Sequence, residues 1–165
     1  MQKIGLFYGS DSGNTENIAK KIADTLGDVD LFDVAKTEKA KLLEYKNLIL
    51  ATPTYGSGDM QGDWEEFLET LSPEDFNGKV IALVGLGDQD TYADSFCDGL
   101  LPIYEVANKQ GKIIGFTKTE GYEYEETKTI VDGQFIGLML DEDNQEELSE
   151  KRIEEWIGNI KGQFE

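Results

Sequence analysis

Three polar, glycine-containing loops carry the residues whose chemistry could bind a ligand. The first loop has hydroxyl and amide donors but no positive charge: Ser10, Asp11, Ser12, Gly13, Asn14 and Thr15. Because a helical pattern starts inside this loop, several backbone N–H groups lack helical partners, and with the helix dipole they can bind a phosphate. Serine and asparagine also suit an ordinary helix N-cap, so this loop alone leaves both interpretations open. It is not a P-loop, since the lysine and the glycine spacing are missing.

The second and third loops add glycines and aromatic rings. The second loop consists of Pro53, Thr54, Tyr55, Gly56, Ser57 and Gly58. The third loop begins at Gly87 and continues through Asp88 and Tyr92. Glycine lets the backbone approach a flat group closely, and Tyr55 and Tyr92 could stack on its two faces, although a flexible loop with one exposed tyrosine has the same composition. A phosphate loop beside two aromatic loops predicts a mononucleotide with a large planar ring.

A parallel sheet must position these loops. Short or continuous apolar runs predict strands at 3–8, 29–34, 47–52, 79–86, 112–116 and 134–140. Apolar residues at helical spacing predict helices around 18–26, 64–71, 95–110 and 153–164. Strands alternating with helices predict an α/β, doubly wound parallel sheet in three layers. Ligands bind such sheets at the carboxyl ends of the strands, and the three loops follow the first, third and fourth strands.

Composition narrows the possible functions. The 165 residues suit one domain over 1–165 and carry a net charge of −19, which disfavours nucleic acid and membrane and favours a basic partner. The single cysteine, Cys97, excludes an internal disulfide and suits the cytoplasm. The absence of histidine removes Ser–His pairs and histidine metal sites. We therefore expect no catalytic residue and no metal ligand, but a protein that carries a reactive group.

The order and spacing of these motifs resemble the flavodoxin family, specifically its long-chain class, over essentially the whole chain. The stretches that carry the resemblance are SDSGNT (10–15), PTYGSGDMQGDW (53–64), GLGDQDTYADSFCDG (85–99) and FIGLMLDEDNQ (135–145). The resemblance implies a flavodoxin-like, five-stranded sheet in the order 2-1-3-4-5, with residues 117–133 as an insertion that splits the fifth strand. It also implies non-covalently bound FMN and one-electron transfer at low potential.

The resemblance assigns roles to individual residues. Residues 10–15 would bind the phosphate, and residues 53–58 and 87–92 would surround the ring, with Tyr92 on its outer face. The pyrimidine edge would lie near Asp88, with Ser95, Phe96 and Cys97 close by, and Asp143 would lie near the ribityl chain. The Gly56–Ser57 peptide would flip on reduction and offer its carbonyl to the ring. Many members have tryptophan where this chain has Tyr55.

The expected protein is a monomer that serves basic-faced redox proteins such as a flavodoxin reductase. One alternative is a flavodoxin-like, NAD(P)H-dependent FMN quinone or azo reductase, for which the sequence shows no second nucleotide motif. A second alternative is a receiver-type signalling domain on the same sheet topology. Residues 9–15 and 53–58 lack the acidic cluster and the phosphorylatable aspartate that this alternative requires.

Overall fold

A parallel sheet forms the centre of the computed structural model, which describes residues 2–165. Its strands are β1 (Ile4–Tyr8), β2 (Val29–Asp33), β3 (Asn47–Thr52), β6 (Val80–Leu86), β7 (Lys112–Ile114) and β10 (Leu138–Leu140). The strand order is β2-β1-β3-β6, and both β7 and β10 pair with β6 on its other side. The predicted order 2-1-3-4-5 is confirmed, with β6 as the fourth strand and β7 and β10 together as the fifth.

The fifth strand consists of two separate pieces. β7 pairs with the beginning of β6, from Val80↔Lys112 to Ala82↔Ile114. β10 pairs with its end, from Leu138↔Val84 to Leu140↔Leu86. The two predicted strands at 112–116 and 134–140 are therefore shorter than expected. Residues 134–135 (β9) instead form a small hairpin with β8 (Ile130–Val131).

Helices cover both faces of the sheet. The helices are α1 (Asn14–Leu26), α2 (Lys39–Leu43), α3 (Gly62–Glu69), α4 (Leu101–Ala107) and α5 (Glu146–Ile160). Successive side chains of a strand point to opposite faces, so Ile49 packs in one core with α1 and α5, whereas Leu50 packs in the other with α3 and α4. Both cores consist of buried apolar side chains, as parallel strands covered on both faces require.

The helix predicted over 95–110 begins later than expected. Cys97 has φ +59, which no helical residue adopts, and a 3₁₀ turn over Asp98–Leu100 precedes α4. Pro102 lies in the first turn of α4, where its missing N–H costs nothing. Residues 95–97 therefore belong to the third loop and not to a helix.

The register brings the carboxyl ends of the strands to one edge of the sheet. Tyr8 at the end of β1 lies beside Ala51 of β3, and Ala51 lies beside Val84 of β6. Leu140 at the end of β10 lies beside Leu86, the last residue of β6. The loops that follow these four strands consequently meet at this edge. Within residues 2–165, no helix combines the length and the apolar character that a membrane span requires.

Candidate functional site

A groove of about 290 Å³ lies where these loops meet. Its lining residues come from the first loop, the second loop, the third loop and the segment after β10: Ser12, Asn14, Pro53, Thr54, Tyr55, Leu86, Gly87, Asp88, Tyr92, Glu142 and Asp143. The structure thus brings together residues that are up to 131 positions apart in the chain, from Ser12 to Asp143. None of these lining residues is a lysine or arginine.

The first loop leads into the N-terminus of α1, where the first N–H groups of the helix have no acceptor within it. Gly13 is the N-cap, with φ +94 and no side-chain cap. Ser10 does not cap the helix in its place, because its Oγ accepts from Gly13 N at 3.1 Å, ahead of the helix. The N–H groups of the first turn, beginning with Asn14, have no helical partner. The capping interpretation is therefore not supported for Ser10, and the turn has donors available for an anion.

The second loop is a hairpin that projects from the sheet. β4 (Thr54–Tyr55) pairs with β5 (Asp59–Met60), and the turn between them has φ +51 at Gly56 and φ +96 at Gly58. Both values favour glycine. Burial, followed by the neighbouring Asp11 carboxylate, raises the pKa of the Tyr55 hydroxyl, so this ring stays neutral.

The third loop is shaped by Asp88. Its Oδ1 accepts from the backbone N–H groups of Asp90 at 3.1 Å and Thr91 at 2.9 Å, and from Asn144 Nδ2 at 2.8 Å. Burial opposes ionisation of this carboxyl, but these hydrogen bonds outweigh it and lower its pKa. Tyr92 N donates to Asp88 O at 3.0 Å, which holds the 37% exposed Tyr92 ring at the groove.

Ser95, Phe96 and Cys97 lie beneath the groove and do not line it. The Phe96 ring is fully buried and stacks on Tyr124 at 5.5 Å between centroids, so this ring does not face the groove. Burial raises the pKa of the Cys97 thiol well above its ordinary value, so the thiol is inert. Ser95 Oγ is buried without a hydrogen-bond partner, under the turn at Gly58.

Several other predicted residues also lie outside the groove lining. They are Ser10, Asp11, Gly13, Thr15, Gly56, Ser57 and Gly58, all of which belong to the first two loops. Thr15 is buried in α1, while Asp11 accepts from the buried Gln61 Nε2 at 3.1 Å. These residues belong to the loops that form the groove, and among their side chains that of Thr15 is buried.

The sequence analysis did not predict Glu142 and Leu86, which also line the groove. Glu142 is the second residue after β10, so its place near a strand's carboxyl end was a signal that could have identified it. Burial, and then the charge of Glu146, raises the pKa of Glu142, although Lys21 opposes this. Burial, and then the charges of Asp88 and Asp141, raises the pKa of Asp143. The acidic groups at this end of the groove thus disfavour further negative charge.

Fold and groove together define an α/β protein with a groove at the carboxyl ends of the strands of a doubly wound parallel sheet. The statistical model of the family described as Flavodoxin matches residues 6–156. The flavodoxin of Helicobacter pylori is 50% identical, over 99% of this chain and 99% of its own length. Flavodoxin 1 of Escherichia coli K12 is 48% identical, over 97% of this chain and 93% of its own.

A solved structure resembles this one over its entire length. It is the crystal structure of Fusobacterium nucleatum flavodoxin bound to flavin mononucleotide, with a TM-score of 0.94 and 44% identity, covering 100% of both chains. The chain belongs to the flavodoxin family. The receiver-type alternative is thereby excluded.

Proposed function

We propose that the groove binds FMN and that the protein carries single electrons between oxidoreductases. The observation that carries this proposal is the meeting of an open helix N-terminus and two tyrosine-bearing loops in one groove. The F. nucleatum flavodoxin, which matches the whole chain, is bound to flavin mononucleotide. Flavodoxin relatives at 42–50% identity support the same function.

The phosphate end of the proposed site is the first turn of α1. Its N–H groups point out of the helix, and Ser12 and Asn14 line the groove beside them. A phosphate there would be held by neutral donors and the helix dipole, with no cation among the lining residues. Its charge would therefore remain largely uncompensated by side chains.

The ring end of the proposed site lies between the second and third loops. Tyr55 and Tyr92 line the groove from these two loops and offer stacking faces. We infer that residues 10–15, 53–58, 87–92, 95–97 and 143 form the cofactor site, with Ser95, Phe96 and Cys97 acting from beneath.

Bound FMN supplies a centre that accepts and releases single electrons. The chain tunes this centre in two ways. The carboxylates of Asp88, Glu142 and Asp143 at the groove, with the net charge of −19, would disfavour added negative charge on a bound ring and so favour its release of electrons. The Gly56 carbonyl can accept a hydrogen bond from a protonated ring nitrogen if the Gly56–Ser57 peptide turns towards it, and glycine tolerates that rotation.

Flavodoxins carry electrons to redox partners, and the charge of this chain favours partners with a basic face. Exposed carboxylates surround the groove, among them Asp59, Asp90 and Asp94. Opposite charge on a partner such as a flavodoxin reductase would speed their encounter and weaken with salt. We infer a monomeric, single-domain carrier over residues 1–165 that works in the cytoplasm. The alternative, an NAD(P)H-dependent FMN reductase, is not favoured, because the relatives are named flavodoxins.

A visible absorption spectrum of purified protein, followed by photoreduction, tests the proposal. We expect flavin bands, and the colour of a one-electron-reduced flavin at half reduction. NADPH added alone should leave the flavin oxidised, and a catalytic amount of flavodoxin reductase should then reduce it. A protein that takes up no FMN would refute the binding site, and rapid reduction by NADPH alone would favour the reductase.

A further inference from the structure

A buried amide, Gln89, joins the third loop to two other segments. Its backbone N and its Nε2 both donate to Asp141 Oδ2 at 2.9 Å, and Nε2 also donates to Gln145 Oε1 at 2.9 Å. Its Oε1 accepts from Glu123 N of the 117–133 insertion. The side chain is 4% exposed. Gln89 is thus held by the insertion on one side and by the segment after β10 on the other.

Asp141 is the fixed point of this cluster. It is fully buried and accepts five hydrogen bonds, two from Gln89, two from Asn144 and one from Asp143 N. Hydrogen bonds to a charged acceptor are strong, and a buried carboxylate with five donors has little freedom to move. Asn144 Nδ2 also reaches Asp88 Oδ1 at 2.8 Å. The backbone of the third loop is therefore tied to Asp141 through both Gln89 and Asp88.

Arg152 of α5 is the far end of the same chain of contacts. It is the chain's only arginine, and it forms no ion pair with any carboxylate among residues 2–165. Its Nη1 donates to Gln145 Oε1 at 2.8 Å and its Nη2 to Gly121 O at 2.9 Å. The guanidinium lies 3.9 Å from the centroid of the Tyr122 ring. An arginine that stacks on a ring and donates only to neutral oxygens provides a planar, fixed arrangement of hydrogen-bond donors. Lysine cannot provide this arrangement.

Arg152 lies away from the cofactor groove. It lines a separate cavity of about 440 Å³ between the insertion and α5, together with Trp156 and Phe116. Arg152 reaches Gln89 by two routes, one through Gln145 and one through the insertion, where it contacts Gly121 and Tyr122 next to Glu123. Gln145 Oε1 accepts from both Arg152 and Gln89, and Gln145 Nε2 donates to Gly121 O at 3.0 Å, so the guanidinium and Gly121 together determine which end of the Gln145 amide faces Gln89. With the amide reversed, two NH₂ groups would meet and the contact would be lost.

We propose that Gln89 and Arg152 are positioning residues of the cofactor groove. Arg152 orients Gln145, Gln145 and Asp141 orient Gln89, and Gln89 fixes the backbone of 88–92 that presents Tyr92 to the ring. The inference rests on the proposed function, because it concerns how tightly FMN is bound. It assigns the insertion and α5 a specific part in forming the site, although neither lines the groove.

A double-mutant cycle on FMN affinity tests the proposal. Dissociation constants are measured by quenching of FMN fluorescence for the wild type, Arg152→Ala, Gln89→Ala and the double variant. We expect Arg152→Ala alone to weaken binding about 3–10-fold, the effect of one ordinary hydrogen bond, and Gln89→Ala to weaken it at least as much. In the Gln89→Ala background, Arg152→Ala should add less than about 2-fold, because contacting residues of one network are not additive.

Lys151→Ala is the matched control. Lys151 is the neighbouring exposed cation on α5, whose ammonium lies 4.0 Å from Glu155, so its removal changes the net charge equally without touching the network. Its dissociation constant should equal that of the wild type. An equal loss of affinity in Lys151→Ala would assign the Arg152 effect to charge and overturn the proposal.

Urea unfolding of each apoprotein separates positioning from stability. A lower free energy of unfolding in Arg152→Ala with unchanged FMN affinity would overturn the proposal, as would fully additive effects in the cycle. Arg152→Lys keeps the charge but lacks the planar fork of donors, so it should lose as much FMN affinity as Arg152→Ala. Wild-type affinity in Arg152→Lys would show that the planar guanidinium is not required and would overturn the proposal. It also provides the test if Arg152→Ala does not fold. A wild type that binds no FMN would refute the proposed function itself, and this inference with it.

Discussion

Gly56→Val tests whether the turn of the second loop tunes the flavin. Gly56 has φ +51 between the two short strands of the hairpin, a value that a β-branched residue resists. A Cβ at this position would lie 3.0 Å from Asp59 Oδ2 and would meet no other heavy atom closer than 4.0 Å. That contact is with the end of an exposed side chain, which can rotate away. The penalty is therefore one of backbone conformation.

The size of that penalty follows from the conformation. A non-glycine residue held in a left-handed region costs about 1–3 kcal/mol, and asparagine pays the least. For Gly56→Val this corresponds to a roughly 5- to 150-fold shift of the turn away from its present conformation. Gly56→Asn adds a side chain of similar size without β-branching and is the matched control. If the Gly56–Ser57 peptide must rotate to reach the ring, the valine variant should hinder that rotation more than the asparagine variant does.

The assay compares FMN affinity with the yield of one-electron-reduced flavin at half reduction. We expect Gly56→Val to bind oxidised FMN, because the helix N-terminus and both tyrosines remain, but to give much less of the one-electron-reduced form. Gly56→Asn should stay close to the wild type. If the valine variant folds, binds FMN and keeps the wild-type yield, the Gly56–Ser57 peptide is not the tuning device. Equal losses in both variants would show that backbone preference is not the cause.

Three further predictions concern the groove itself. Tyr92→Ala should raise the FMN dissociation constant by roughly one to two decades, since aromatic stacking on a base contributes about 1–3 kcal/mol; an unchanged constant, measured by fluorescence quenching, would make Tyr92 only a surface aromatic. Ser12→Lys places a cation in the lining beside an uncompensated phosphate, so the potential of the second reduction step should rise by on the order of tens of millivolts; a potential that stays or falls with FMN still bound would contradict the electrostatic account. Because the pKa of Asp88 is lowered in the folded protein, its ionised form stabilises the fold above the unfolded pKa of about 4, and this contribution is lost as the pH falls through the lower folded value. Asp88→Asn should thus be less stable than the wild type at neutral pH, with a difference that shrinks below about pH 4 in urea unfolding; a pH-independent difference would mean that ionisation of Asp88 plays no part.

The order of the sheet and the helices that cover it were predictable from local patterns. The strands at 47–52 and 80–86, which the runs at 47–52 and 79–86 predicted, are buried at every position, which is the condition that produces such runs. The helix that ends at Gly27 had both a periodic apolar face and a terminating glycine. In these elements the local preference and the tertiary environment agree, so the pattern was sufficient.

The boundaries around Cys97 were not predictable in the same way. Residues 95–97 have helix-compatible composition, yet Cys97 adopts φ +59. The reason lies in contacts from distant residues: Phe96 N donates to Glu126 O at 3.2 Å, and Thr127 Oγ1 donates to Phe96 O at 2.7 Å. The insertion takes the hydrogen bonds that a helix would have used. The local sequence of residues 95–97 gives no indication of these long-range hydrogen bonds.

The candidate site likewise has some features that the sequence predicts and others that it does not. Ser12, Asn14, Tyr55, Asp88 and Tyr92 line the groove as their strand-end positions predict, because topology alone brings strand ends together. Which of two neighbouring acidic residues faces the ligand, however, depends on burial.

The segment LDEDNQ shows why burial escapes the sequence. Asp141 and Asp143 are the same residue type two positions apart, yet Asp141 is fully buried with five hydrogen bonds, whereas Asp143 lines the groove. Gln89, which lies 52 positions before Asp141, supplies two of the five donors that make the burial of Asp141 tolerable, and the adjacent Asp143 and Asn144 supply the other three. A carboxylate without such donors would have to remain in water. The role of each aspartate thus depends in part on a residue of another loop, and only the assembled structure distinguishes the carboxylate that lines the groove from the one that holds the loop.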